Sequence, residues 1–322
     1  MKIWKGMNKI PGGNLLIPML IGAIINTAFP NLMTWLGGTS LATFKTGSMT
    51  VVGIILFALG TTTDIKTLGT VLKRNGIVTI AKLVLGFGFG LLFVKLFGID
   101  GIAGVSAVAF VTCICSGNPG IYIGLVNTYG DPADMGNVPI MSVLDLPWFP
   151  MLILAAGGAK LPPADVITVF VPYILGIILG NIDKDFGKLY QPMANIILPF
   201  LGFNFGMSLN LLTAAKAGLA GIVLGIVYMI LNFPVLLFAD RVLNKRPGYV
   251  GASMCSVAGF SIVLPTLLGE AYAQYLPTAI PQIALCLVVS AILCPILTKK
   301  VVDKWGSSKV PPKSERTAEA TE

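Results

Sequence analysis

Two ionisable side chains sit inside long apolar runs: Lys82 in "VTIAKLVLG" and Asp145 in "MSVLDLPWFP". Placing either charge near the centre of a bilayer costs on the order of 2.5–3.5 kcal/mol even on the most lenient scale, so both are expected to face a protein interior. There an ammonium can hold an anion, and a carboxylate in apolar surroundings can take up and release a proton. Asp145 is therefore the candidate proton-coupling group, and Pro147 nearby frees backbone acceptors that keep its surroundings irregular and hydrated. Lys82 is a candidate substrate contact. A second reading stays open for it, because it lies within ~10 Å of the end of its run at ~1.5 Å per residue, and a lysine stem can snorkel that far.

A second set of polar residues interrupts two other apolar runs. "CICSGNPGIYIG" carries Ser116, Gly117, Asn118, Pro119 and Gly120, and "MCSVAGFSIVLP" carries Ser256, Gly259, Ser261 and Pro265. Glycine loosens a helix and proline removes a donor, so each run is expected to break near its middle. In lipid the freed peptide groups must be received by protein or by a water-filled cavity. Two breaks that face each other make a site, and half-helix N-termini suit an anionic ligand near the bilayer midplane. Ser116, Asn118, Gly120, Ser256, Ser261 and Lys82 are the candidate substrate-binding residues. For glycines alone close helix packing is the competing explanation, as at Gly86, Gly88 and Gly90.

The elements that must position these residues follow from composition. Of 322 residues 55% are hydrophobic and 11% charged, far from the roughly 25% charged of a soluble domain. Ten apolar stretches, near residues 13–30, 48–63, 75–98, 101–122, 136–158, 166–182, 194–212, 216–238, 248–268 and 278–297, are expected to be transmembrane helices. The first is expected to be a retained helix and not a signal peptide. Seventeen of the 22 Lys and Arg fall on one side of this arrangement, against Lys45, Lys95, Lys160 and Lys216 on the other. The positive-inside rule then puts both termini in the cytoplasm. A basic belt against anionic lipid accounts for the net charge of +8 without nucleic acid. The chain has no histidine and no phosphate-binding glycine loop, so neither a His-based metal or hydrolytic site nor a nucleotide-driven pump is expected, and no cofactor or metal is called for. The five cysteines all lie in apolar runs and read as small buried hydrophobes.

Three patterns recur in the same order in the two halves. "PMLIG" (Pro18 to Gly22) returns as "PYILG" (Pro172 to Gly176), "FALGTTTDIKT" (Phe57 to Thr67) as "FNFGMSLNLLT" (Phe203 to Thr213), and "GIAGVS" (Gly101 to Ser106) as "GYVGAS" (Gly248 to Ser253). A repeated unit of five spans must enter the membrane upside down the second time, as in many secondary transporters. The expected fold is an all-α polytopic membrane protein of ten transmembrane helices. It comprises two inverted five-helix repeats, 1–160 and 161–298, with helices 4 and 9 broken, and a disordered cytoplasmic tail at 299–322.

"NKIPGGNLLIPMLIGAIINT", "GTVLKRNGIVTIAK", "GIILGNID" and "PFLGFNFGMSLNL" resemble the 2-keto-3-deoxygluconate permease family, over about residues 8 to 300. The resemblance implies proton-coupled uptake of 2-keto-3-deoxygluconate, a sugar acid, across a bacterial inner membrane. It also implies the ten-helix fold of the bile-acid sodium symporter-like superfamily, in which two broken helices cross at the site. It transfers no individual binding residue. Sodium coupling through Asn118, Thr112 and Asn204, or passive facilitated flux, are the alternatives; an enzyme is disfavoured.

Overall fold

The computed structural model describes residues 6, 7, 13–63, 65–135, 137, 138, 141, 146–159 and 163–319. Among these the chain is helical, with one isolated bridge between Ile102 and Val105. The principal helices are α1 (Gly13–Ala28), α2 (Ser48–Thr61), α3 (Ile65–Phe97), α4 (Ala107–Cys115), α5 (Pro119–Tyr129), α6 (Trp148–Ala156), α7 (Pro163–Ile182), α8 (Met193–Gly206), α9 (Leu211–Phe238), α10 (Tyr249–Ser253) and α11 (Leu276–Trp305). A 3-10 helix, Gly259–Leu268, follows α10.

Four segments are long and apolar enough to cross a membrane: Arg74–Phe97, Ala107–Tyr129, Ala214–Leu243 and Tyr272–Trp305. A fifth is a bent pair, Gly38–Thr46 with Ser48–Thr61, at 63°. Gly13–Ala28, Phe170–Ile182, Asn195–Gly206 and Gly259–Leu268 are apolar but shorter. The ten apolar windows of the sequence are thus not ten full-length helices among the described residues. Internal breaks shorten some, and the window at 136–158 falls partly outside the described residues.

The helices pack in a reciprocal pattern. α1 lies along α8, and α2 along α7. At the first crossing a Cβ on Gly22 would come within 3.1 Å of the Gly206 Cα, and at the second a Cβ on Gly60 would come within 3.0 Å of the Gly176 Cα. Only glycine permits backbones this close. Gly22 corresponds to Gly176 in the repeated "PMLIG" and "PYILG", and Gly60 to Gly206 in the second repeated pattern. Each crossing therefore joins the first-half partner of one pair to the second-half partner of the other. Amides repeat the exchange: Asn26 Nδ2 donates to Leu209 O at 3.1 Å and Asn181 Nδ2 to Thr63 O at 2.8 Å.

The other helices gather around α4, every residue of which is buried. A helix apolar on all faces belongs at the centre of a bundle, and α3, α9 and α11 pack around it. Outward-facing Ile80, Val84, Leu96, Leu219 and Ile230 are exposed, as suits a lipid-facing belt. All five cysteines are buried and unpaired.

The C-terminal boundary expected at 299 needs correction. α11 runs on to Trp305, and Gly306, in a left-handed conformation (φ 74°), turns the chain back. Arg316 then pairs with Asp303 at 2.6 Å, and Val310 packs on the core. One ion pair and one apolar anchor hold the segment, up to Arg316, against the helical body.

Candidate functional site

α4 stops at Cys115 for local reasons. Pro119 disfavours helical backbone at the residue before it, and Asn118 is extended (φ −97°, ψ 100°), as is Ser116 (φ −70°, ψ 149°). Pro119 then opens α5 at a position where its missing N–H costs nothing, and Asn118 Oδ1 caps the new helix by accepting from Ile121 N at 3.1 Å. The second break runs from Met254 to Ala258, between α10 and the 3-10 helix.

The two breaks are stitched to each other. Asn118 Nδ2 donates to Val257 O at 3.0 Å, and Ser116 Oγ accepts from Ala258 N at 2.9 Å and from Ser261 Oγ at 2.6 Å. Val257 N donates to Ser290 Oγ on α11 at 3.0 Å. Freed peptide groups at the breaks thus find protein partners, which is the condition for an irregular backbone at membrane depth. The expected half-helix donors at Ile121, Val257 and Ala258 are occupied by side chains in this arrangement.

Lys82 reaches the same place from α3. It is only 2% exposed, so it does not snorkel. Its Nζ donates to Ile114 O at 3.2 Å, to Tyr228 Oη at 3.3 Å and to Asn232 Oδ1. Tyr228 Oη passes the chain on, donating to Ser116 O at 3.1 Å. Burying an ammonium costs several kcal/mol unless it is hydrogen-bonded, and these oxygens, from α4 and α9, offset that cost. A small polar crevice lies beside this chain, lined by Thr112, Ser116, Pro147, Pro150, Phe260 and Ser261, with about 10 Å³ of free volume. That is room for about one water and not for a sugar acid.

The candidate residues therefore divide. Lys82, Ser116, Asn118 and Ser261 meet in one hydrogen-bonded chain. Ser256 sits in the second break, fully buried, its Oγ without a hydrogen-bond partner among the described residues. Gly120, in the first turn of α5, is exposed. Asn204 is elsewhere, donating to Thr43 O at 2.6 Å. Asp145 lies outside the described residues.

The sequence profile of 2-keto-3-deoxygluconate permease matches residues 4–307. The chain is 35% identical over 308 residues to 2-keto-3-deoxygluconate permease 1 of Salmonella typhimurium, covering 94% of this chain and 96% of that protein. It is 31% identical to the 2-keto-3-deoxygluconate permease of Tolumonas auensis (95% and 94% covered) and 30% identical to that of Bacillus subtilis (98% and 97%). The chain belongs to the 2-keto-3-deoxygluconate permease family. Members of this permease family are transporters and not enzymes, and this one is a multi-pass membrane protein.

The permease chain also carries polar groups that sequence reasoning missed. Tyr228 and Asn232 hold Lys82, and Ser290 holds the second break. Asn232 had a signal, being a lone amide in the apolar run "VYMILNFPVLLF". Asp134, in the short helix Pro132–Met135 that follows α5, is fully buried. Its Oδ1 accepts from Arg246 at 2.7 Å and Arg74 at 3.3 Å, and its Oδ2 from Tyr249 Oη at 2.7 Å. Ser308, from the C-terminal segment, lies 2.5 Å from Tyr249 Oη. Arg74 also pairs with Asp131; burial pushes the Asp131 carboxyl up, but the guanidinium outweighs it and holds the group below its ordinary value.

Proposed function

We propose that this chain is a symporter that carries 2-keto-3-deoxygluconate, or a closely related sugar acid, into a bacterial cell together with a proton. The observation that carries the reading is Lys82, a buried ammonium beside two stitched helix breaks in a chain whose relatives bear the name of a sugar-acid permease. An ammonium and neutral hydroxyl and amide groups suit a carboxylate with several hydroxyls. The substrate would bind between the breaks, contacting Lys82, Ser116, Asn118, Gly120, Ser256 and Ser261, in a state more open than the present one. Asp145 would take the coupling proton, so that the loaded carrier reorients without an unpaired buried charge.

The accompanying topology is ten helices in two inverted repeats, 1–160 and 161–298, with both termini in the cytoplasm of an inner-membrane protein. The reciprocal glycine crossings Gly22 with Gly206 and Gly60 with Gly176 support it, because two copies related by a two-fold axis exchange partners in this way. Counterflow in proteoliposomes with a panel of sugar acids, under imposed pH gradients, sodium gradients or neither, tests the function. Acceleration by an inward proton gradient alone is expected. Acceleration by sodium alone means a sodium symporter, and indifference to both means a passive facilitator.

A further inference from the structure

An apolar groove of about 610 Å³ runs between α3 and α9, away from the breaks. Its floor is made of small or buried residues, Ala81, Leu85, Gly88 and Ala239, and exposed side chains such as Ile80 and Phe238 form its lips. Among the described residues no polar side chain lines it. From Ile77 to Leu92 it follows α3 for about 22 Å at ~1.5 Å per residue, enough to take an acyl chain through one leaflet of a ~30 Å hydrocarbon core.

One end of the groove is basic. Leu243 lines that end, and Lys245 two residues on is exposed, with no hydrogen-bond or ion-pair partner among the described residues. The neighbouring acid, Asp240, is fully buried and accepts from Gly251 N at 3.0 Å, so it does not neutralise the mouth. An unpartnered cation at the end of a leaflet-length apolar slot has the charge and shape complementary to one kind of ligand: an acyl chain joined to a phosphate.

We infer that this groove is a binding site for a single anionic phospholipid, with one acyl chain against Gly88 and the headgroup phosphate at Lys245. The inference depends only on the chain spanning a membrane, not on the substrate or the coupling ion. Native mass spectrometry of the detergent-released full chain, titrated with phosphatidylglycerol or with phosphatidylcholine of the same acyl composition, reads it out. One phosphatidylglycerol is expected to be retained in preference to phosphatidylcholine. Lys245→Glu should remove at least about fivefold of that preference, the worth of one lysine beside an anionic headgroup. Gly88→Leu should reduce retention of both lipids, and the substitution is sterically permitted because a Cβ there meets nothing within 4 Å. Melting temperatures measured without lipid and unchanged from wild type confirm that both variants fold. Equal retention of both lipids by the wild type, or full retention by folded Gly88→Leu, overturns the inference. So does efficient disulfide formation between two copies of Gly88→Cys in bilayers, which would make the groove a contact between copies.

Discussion

Lys82 Nζ lies 3.3 Å from Tyr228 Oη, and the two residues occupy equivalent positions, 146 residues apart, in the register set by the repeated "FALG" and "FNFG" patterns. In the proposed inverted repeat, a residue that touches its own counterpart sits on the axis relating the two copies. The chemistry at that point is nonetheless asymmetric, with an ammonium from one copy and a phenol from the other. Tyr228→Phe removes an acceptor from Lys82 and a donor to Ser116 O together. Half-saturation for substrate in counterflow should rise by up to about tenfold, the worth of one lost hydrogen bond at 0.5–1.5 kcal/mol. Unaltered kinetics at normal expression would sever Lys82 from the site.

The breaks themselves should respond alike. Ser116→Ala deprives Ala258 N and Ser261 Oγ of their acceptor, and Asn118→Ala unties Val257 O while uncapping α5. Each should weaken substrate about three- to tenfold. Effects confined to thermal stability, with transport constants unchanged, would make both purely structural.

The reciprocal crossings predict matched damage. Gly60→Val and Gly206→Val each drive a side chain into a facing backbone carbonyl, of Tyr173 and of Met19 respectively. Both should lower stability by about 1–3 kcal/mol or more, read as a fall in melting temperature in detergent. Gly53→Val, where a Cβ meets nothing within 4 Å, should be nearly neutral. A large difference between the first two would argue against equivalent crossings.

Much of this was legible in the sequence because glycine and proline act locally. The first break falls where "SGNPG" put it, since Pro119 constrains Asn118 whatever surrounds it. Lys82 was recognisable as an interior charge, but its partners were not: Asn232 is 150 residues away, and no local rule says which face of α9 turns toward α3. Asp134 was missed for the same reason, its partners Arg74 and Tyr249 lying 60 and 115 residues distant. Helix continuity was less legible than span position, because apolar windows register composition and not where a helix breaks.

The Asp134 cluster carries its own prediction. Removing one member of a buried, paired set leaves uncompensated charge, so Asp134→Ala should cost about 3–5 kcal/mol. Arg74 is more than a third exposed, and Arg74→Ala should cost much less. Truncation after Trp305 removes Ser308 and should fall between them. Melting curves of the three proteins in one detergent give the order, and a neutral Asp134→Ala would contradict it.

Orientation is open to direct labelling. Cysteines replacing Lys45 and Lys216 should react with an impermeant maleimide added to whole cells, and those replacing Lys184 and Lys245 only after the membrane is opened. Reaction of all four from outside would remove the inverted topology.

The proposed coupling has a proton travel with the sugar acid through the Asp145 carboxylate, and Asp145→Asn tests it most directly because the amide imitates the protonated form permanently. In proteoliposomes supplied only with a pH gradient, this variant should fail to accumulate labelled sugar acid against its concentration gradient. It should still exchange labelled for unlabelled substrate at a rate within a few-fold of wild type, since exchange needs no deprotonation. Accumulation by Asp145→Asn as high as that of the wild type would mean that the proton is carried elsewhere, and that the coupling role given to this carboxylate is wrong.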